Sequence, residues 1–170
     1  MPCREKKYPI ASMKRKDERM KADEMLPVVY TIGFGGKRAE VFFNLLRKSR
    51  VHKLIDVRLN NVSQLAGFTK KADLAFFLRE ICQCDYEHRP NWAPTKELLD
   101  GYKSKKISWD EYMAQFSRII QTRGIMENLE LSSVVGSCLL CSEPTPEHCH
   151  RRLLAEQIKV KFPNIKIIHL

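Results

Sequence analysis

The chain has 170 residues, 44% of them hydrophobic and 29% charged, with 30 basic against 20 acidic residues and a formal net charge of +10. This length fits one domain with a tail and supports a core without disulfide or metal staples, so the six cysteines do not indicate a secreted disulfide framework. Because no apolar run approaches bilayer length and the N-terminus has no apolar signal segment, we expect a cytoplasmic protein with no membrane partner.

The first part of the chain, residues 1–27, predicts a basic and flexible tail. It carries eight basic and five acidic residues and little apolar periodicity. We expect a solvated or partly helical extension, and a nucleic-acid-binding arm is the alternative. The remaining residues, 28–170, predict a single α/β domain with 22 basic against 15 acidic residues. The positive excess therefore extends beyond the tail and favours anionic partners such as nucleic acid.

Strand-like and helix-like segments alternate from residue 28 onward, which predicts an α/β fold with a small, mostly parallel sheet flanked by helices. The predicted strands, short β-branched or apolar runs, are residues 28–33, 53–58, 84–89, 134–141 and 165–169. The predicted helices, amphipathic segments, are residues 39–49, 71–82, 95–123 and a last one over 145–162. Thr145 is the expected cap of that last helix, and Pro146 its first turn.

Unusual polar residues and glycines follow the predicted strands. In a parallel sheet, ligands bind beyond the carboxyl ends of the strands. The residues that fall there are Gly33, Asp56, Arg58, His88 and the run CSEPTPEHCHR that ends at Arg151. We therefore predict a functional cleft at this edge of the sheet. The oligomeric state stays open.

The run CSEPTPEHCHR holds the densest set of reactive side chains. Cys141 and Cys149 are ionisable soft ligands, and Glu143 is a candidate base or hard ligand. His150 can ligate a metal or move protons. The expected helix start attracts anions and lowers the pKa of nearby thiols, and Arg151 can grip a phosphate or a carboxylate.

Three interpretations of this run stay open. A zinc or iron site from Cys141, Cys149 and His150 needs a fourth ligand, for which Glu143 or His88 is available. Alternatively, Cys149 is a nucleophile and a histidine is its base. In the third interpretation the cysteines are buried core thiols and the arginine is a structural clamp.

Other candidate binding residues precede this run. Asp56 and Arg58 share a face of a strand, so they form either an ion pair or a site in which Arg58 grips an anion while Asp56 orients it or acts as a base. Phe68 and Lys70 either stack on a base and hold a phosphate or belong to a loop anchored by the phenylalanine. Gly33 belongs to a close turn that borders a ligand, although the dinucleotide-binding spacing is absent.

The spacing of these motifs resembles the domain-of-unknown-function 488 family over about residues 28–170. The resemblance implies a compact α/β domain with its motifs gathered at one site, and it implies no particular reaction. Some relatives are thought to act near nucleotide or nucleic-acid metabolism. The matching features are Thr31-Ile-Gly33, Leu54-Ile-Asp-Val-Arg58, Ser63, Gly67-Phe68 with Lys70, His88, the C-x-E-x-x-P-x-x-C-H-R run, Leu154-Ala155 and Ile168-His169.

The chain departs from the family pattern at two places. Phe34 and Gly35 stand where the family usually has a histidine and a small polar residue. Asn61 stands in place of a proline, and Ser63-Gln64 in place of a serine and an arginine. These departures are consistent with a changed substrate or a weakened site.

The function that we rank first is an enzyme acting on a phosphate-bearing substrate, either a nucleotide or a nucleic acid. In this hypothesis Cys149 or Glu143 performs the chemistry. Proton transfer falls to His88 or His150. The anion is bound by Arg58, Lys70 and Arg151. The alternatives are a non-catalytic module that binds DNA or RNA and a metal-binding or redox protein that uses the two cysteines and the histidine of the same run.

Overall fold

A computed structural model describes residues 26–62 and 67–170. The predicted tail therefore lies almost wholly outside the described residues, as do Ser63 and Gln64. Five strands form one sheet in the order β3-β2-β4-β1-β5, and every neighbouring pair is parallel. The strands are β1 Val28–Gly33, β2 Lys53–Asp56, β3 Asp85–His88, β4 Ser137–Cys141 and β5 Lys166–His169. The predicted α/β fold with a mostly parallel sheet is confirmed, and the sheet is parallel throughout.

In the described residues, five α-helices flank the sheet. They are α1 Ala39–Lys48, α2 Lys71–Phe77, α3 Lys96–Lys103, α4 Trp109–Thr122 and α5 His150–Lys161. A π-helical turn, Leu78–Cys82, prolongs α2. None of the helices in the described part of the chain has the length and apolar character needed to cross a bilayer.

The helices cover both faces of the sheet, which we call the α1–α2 face and the α3–α5 face. Successive residues of a strand point to opposite faces. In β4, Leu139 packs into the core with Phe116 and Leu154, whereas Leu140 packs into a second core with Phe42 and Leu54. Each face thus has its own hydrophobic core. The alternating direction of side chains along a strand also divides the predicted site residues between the two faces.

The predicted helix over residues 95–123 is two helices, α3 and α4. Lys105 adopts a left-handed backbone conformation with φ of 57°, which ends the first helix. Ser108 then starts α4 with a capping box, because its hydroxyl accepts from the Glu111 amide while the Glu111 carboxylate accepts from the Ser108 amide. The apolar pattern continues through this break, so it does not reveal the turn.

The last helix begins at His150, five residues after the predicted cap at Thr145. The preceding segment, residues 142–148, forms turns that pack against the end of β1. The carbonyl of Glu143 lies where a side chain on Gly33 would be, and the carbonyl of Ser142 does the same at Gly35. This tertiary packing overrides the local capping signal, and it leaves Cys149 at the helix cap.

Candidate active site

The structure divides the predicted site residues into two groups at the carboxyl edge of the sheet. In the strand register, Gly33 pairs with Cys141, and Asp56 pairs with both Leu140 and His88. The first group, on the α3–α5 face, contains Cys141, Cys149, His150 and Arg151. The second group contains Asp56 and Arg58, whose guanidinium lies 5.2 Å from the ring centre of Phe34, a member of the α1–α2 core.

Cys141, Cys149 and His150 form a buried cluster. Their donor atoms all lie within 4.8 Å of one another. Nδ1 of His150 is 3.5 Å from Sγ of Cys141, and Nε2 is 2.9 Å from the carbonyl oxygen of Val57. Because a carbonyl only accepts, Nε2 carries a proton, and Nδ1 is left to face the sulfur.

The two cysteines of this cluster differ in how readily they ionise. Burial alone would raise the pKa of the Cys141 thiol, but hydrogen bonds from Cys149 and His150 and the positive charge of His150 hold that pKa well below its usual range. Burial opposes the charged form of His150, yet the Cys141 sulfur raises its pKa. Burial and the neighbouring Cys141 sulfur raise the pKa of Cys149. These shifts favour a negative charge on the Cys141 sulfur over one on the Cys149 sulfur.

Arg151 lies beside this cluster with only 1% of its surface exposed. Its Nη1 donates to the carbonyl of Glu143 at 2.9 Å and to Sγ of Cys149 at 3.0 Å. Among the described residues no carboxylate pairs with it, and its Nε has no acceptor. A buried guanidinium without a carboxylate partner favours negative charge nearby, either on sulfur or on an anionic ligand.

A cavity of about 420 Å³ opens over the cluster, between α3, α4 and the segment that precedes α5. Cys149 and His150 line it from the sheet side. On the helix side it is lined by three aromatic rings, those of Tyr102, Trp109 and Tyr112. With Glu143 at the mouth, three predicted catalytic residues therefore border a space that a small ligand can occupy.

The mouth of the cavity is polar. Glu143 and His148 border it from the segment before α5, and both are exposed. Lys103 and Lys105 border it from the end of α3 and are also exposed. The sequence analysis identified Glu143 but missed both lysines, because charged residues at a helix end are typical of any solvated surface.

Asp56 and Arg58 form a buried ion pair away from this cavity. Nε and Nη2 of Arg58 donate to the two carboxylate oxygens of Asp56 at 2.8 and 2.6 Å. Nη2 also donates to the carbonyl of Thr69, and the Tyr86 hydroxyl donates to Asp56 at 2.7 Å. With side chains 5% and 0% exposed, the two groups hold the loop before α2 rather than face a ligand.

The remaining predicted binding residues also lie outside the cavity lining. Nε2 of His88 is 2.9 Å from the carbonyl of Arg58. Phe68 packs with its ring centre 5.6 Å from that of Phe42 and 5.9 Å from that of Phe43. Lys70 is half-buried at the cap of α2.

Phe34 and Asn61, where we expect departures from the family pattern, have structural contacts here. The Phe34 ring lies under the guanidinium of Arg58, and the Asn61 amide donates to the Tyr86 hydroxyl at 3.0 Å. Both therefore support the Asp56–Arg58 pair. Gln64 lies outside the described residues.

Lys37 is a further residue that the sequence analysis missed. Its Nζ is 3.4 Å from the carbonyl of Pro144, in the segment before α5. Burial and the charge of Arg151 lower the pKa of Lys37. A single lysine in a glycine-rich turn carries no sequence signal that would distinguish it from a solvated residue.

A thiol pair, a buried imidazole and a buried guanidinium at the carboxyl edge of a parallel sheet define an α/β protein with a cysteine–histidine site. The family model described as Domain of unknown function DUF488 matches residues 38–158, and the chain belongs to that family. The comparison with curated proteins and the comparison with solved structures each gave no match. The family description names no reaction, so the chemistry of the site itself has to indicate the function.

Gly33 is the position where the site tolerates no side chain. A Cβ there would lie 1.7 Å from the carbonyl oxygen of Glu143 and 3.1 Å from Nη1 of Arg151. Because a backbone carbonyl cannot rotate away, we expect Gly33→Ala to displace the segment before α5. Chemical denaturation should show a loss of about 3 kcal/mol in the free energy of unfolding.

Gly101→Ala is the matched control. Gly101 lies inside α3, and a Cβ there would meet only Ile107, at 3.6 Å. We expect this variant to gain about 0.5–1 kcal/mol, because alanine loses less backbone entropy than glycine in a helix. If the Gly33→Ala and Gly101→Ala variants had equal free energies of unfolding, the expected clash between a Cβ at position 33 and the Glu143 carbonyl would be wrong.

Proposed function

We propose that the protein is an enzyme that acts on a phosphate-bearing substrate, a nucleotide or a nucleic acid, through Cys149. One observation carries the proposal: Cys149 lines the cavity and also contacts the buried charged network. Its sulfur accepts from Arg151 at 3.0 Å and interacts with the Cys141 sulfur. Burial and Cys141 raise the pKa of the resting Cys149 thiol, so the activation that we propose occurs during attack: Arg151 stabilises the thiolate that forms as the proton passes to Cys141.

The first chemical step is a substitution at the substrate. The sulfur of Cys149 forms a bond to an electrophilic phosphorus or carbon, and the bond from that atom to the leaving group breaks. The thiol proton passes to the sulfur of Cys141, which His150 stabilises in its charged form. The leaving group departs with the bonding electron pair and takes a proton from solvent in the open cavity.

The second step restores the enzyme. Water attacks the same phosphorus or carbon, and the carboxylate of Glu143, exposed at the cavity mouth, accepts its proton and then releases it to solvent. The bond to sulfur breaks, and Cys149 regains its proton from Cys141. The net reaction is hydrolysis of the bond to the leaving group, with no redox change.

Charge supports a phosphate-bearing substrate. The chain has a net charge of +10, and two lysines border the cavity mouth. The buried Arg151 adds positive potential beneath the floor, where no carboxylate of the described residues neutralises it. Such a field concentrates anionic substrates at the cavity.

The direct test is product formation by Cys149→Ser. Nucleoside 5′-monophosphates and short single-stranded DNA and RNA oligonucleotides would be incubated with the protein, and products would be identified by mass. We expect conversion of at least one of these probes, reduced about a hundredfold or more in Cys149→Ser, because a hydroxyl is a much weaker nucleophile than a thiolate.

Cys138→Ser is the control for this test. Cys138 is buried in β4, but it packs into the α1–α2 core, away from the cavity. It should retain activity, and Cys149→Ser should retain a cooperative thermal transition. The proposal is contradicted if wild-type protein converts no probe or if Cys149→Ser converts it equally well. Binding without conversion would favour the non-catalytic nucleic-acid module instead.

A second candidate is a metal-dependent enzyme or sensor with zinc or iron on Cys141, Cys149 and His150. The observation in its favour is that three donor atoms lie within 4.8 Å, with the outer nitrogen of His150 oriented by the Val57 carbonyl. Three protein ligands leave a position open for water or substrate. The adjacent buried charge of Arg151 opposes a cation, so we rank this candidate second.

Metal content decides between the two candidates. Elemental analysis of the purified protein should give well below one zinc or iron per chain if Cys149 acts as a free thiol. About one ion per chain that is absent from Cys141→Ser and retained in Cys138→Ser would contradict the thiol mechanism. It would replace that mechanism with metal-assisted chemistry at the same cavity.

A further inference from the structure

We infer that the cavity binds one unpaired nucleotide, with the base against Trp109 and the phosphate on Lys105. The inference rests on the proposed function for its catalytic meaning, because it names the ligand of the same cavity. Its tests measure binding, so they do not depend on turnover. It is carried by the aromatic wall, by the size of the cavity and by the position of Lys105 at its mouth.

The aromatic wall is built from three rings in mutual contact. The rings of Trp109 and Tyr112 are almost parallel, 17° apart with centres at 5.1 Å, and the Tyr102 ring lies 5.0 Å from that of Tyr112. Tyr112 is buried, whereas Trp109 and Tyr102 keep part of their surface open beside the cavity. A rigid aromatic surface of this kind stacks on any flat base.

The size of the cavity limits what can stack there. About 420 Å³ accommodates one small ligand such as a nucleotide, and it has no room for a base pair with its two backbones. The base must therefore come from a free nucleotide or from an unpaired position of a strand. Glu143, also in the lining, supplies a hydrogen-bonding group for the edge of the base, and the His148 ring packs perpendicular to that of Trp109 with centres 5.1 Å apart.

Lys105 is fixed at the mouth by the backbone. Its φ of 57° is a conformation that glycine adopts readily and that lysine rarely adopts. The amide of Lys105 donates to the carbonyl of Tyr102, and the amide of Lys106 donates to that of Gly101, which holds the turn. The left-handed turn that ends α3 thus places the exposed Lys105 beside the cavity.

This conformation provides a variant that we expect to keep its fold, because glycine adopts a positive φ readily. Lys105→Gly removes the ammonium group and relieves the backbone strain, so its thermal transition should be equal to or higher than that of wild-type protein. Calorimetric titration with nucleoside 5′-monophosphates should nevertheless show about tenfold weaker binding, the loss expected for one charged contact.

Arg50→Gly is the matched control. Arg50 also has a positive φ, 52°, and it lies between α1 and β2 at the opposite edge of the sheet. This variant loses the same charge and the same strain, so it separates a local contact from an effect of net charge. Binding should be unchanged in Arg50→Gly, and equal weakening in both variants would overturn the assignment of Lys105.

The role of Trp109 is tested with two substitutions. Trp109→Phe keeps a ring and should bind nucleotides within a few-fold of wild-type protein, whereas Trp109→Ala should bind at least tenfold more weakly. Ribose 5-phosphate, which has no base, should bind weakly to all three proteins. Tight binding of ribose 5-phosphate, or no effect of Trp109→Ala, would contradict a base-stacking wall.

Two further measurements are needed. The first identifies the source of the nucleotide, and the second separates this inference from the proposed enzyme. A single-stranded oligonucleotide that binds more tightly than a mononucleotide, with a steeper salt dependence, identifies a strand as the source; the reverse identifies a free nucleotide. Cys149→Ser should retain binding. Binding without turnover would contradict the proposed enzyme but not the nucleotide site. Turnover that Lys105→Gly and Trp109→Ala leave unchanged would contradict the nucleotide site alone.

Discussion

Buried positive charge is the constraint on which the site depends. Arg151 and His150 are adjacent in sequence and are 1% and 6% exposed, and no described carboxylate pairs with the guanidinium. The compensation comes from the Glu143 carbonyl and from the sulfur atoms. The path of residues 142–148, the absence of a side chain at Gly33 and the start of α5 at His150 all serve these contacts.

The sheet could be predicted from the sequence because β-branched runs and amphipathic segments alternate with little ambiguity. The helix ends could not be predicted in the same way. Thr145 and Pro146 have the local signature of a helix start, but packing of the Glu143 carbonyl against β1 keeps them in turns. At Lys105 the chain turns with a residue that seldom takes a positive φ, so the sequence marks the break between α3 and α4 through the capping-box spacing of Ser108 and Glu111 and not through a glycine.

The sequence predicts only part of the candidate site, because the geometry of the strands decides on which face of the sheet each side chain lies. The motif brings Cys141, Cys149, His150 and Arg151 together, as expected for residues at one strand end and the next helix start. Asp56 ends a neighbouring strand, but its side chain points to the other face, where Arg58 and Tyr86 engage it. Which face a residue takes depends on strand register, which sequence alone leaves open. The sequence does not reveal the aromatic wall, because the apolar stripe on α4 is equally typical of a helix face that packs in the core.

The central claim is that Cys141 is a thiolate paired with an imidazolium on His150. Nitrogen-15 NMR of the His150 ring in metal-free protein at neutral pH tests it directly, with Cys141→Ser as the reference. The account predicts protons on both ring nitrogens in wild-type protein, with Nδ1 facing the sulfur and Nε2 facing the Val57 carbonyl. A ring protonated only at Nε2 would contradict the account, because Cys141 would then keep its proton and Cys149 would lose its proton acceptor.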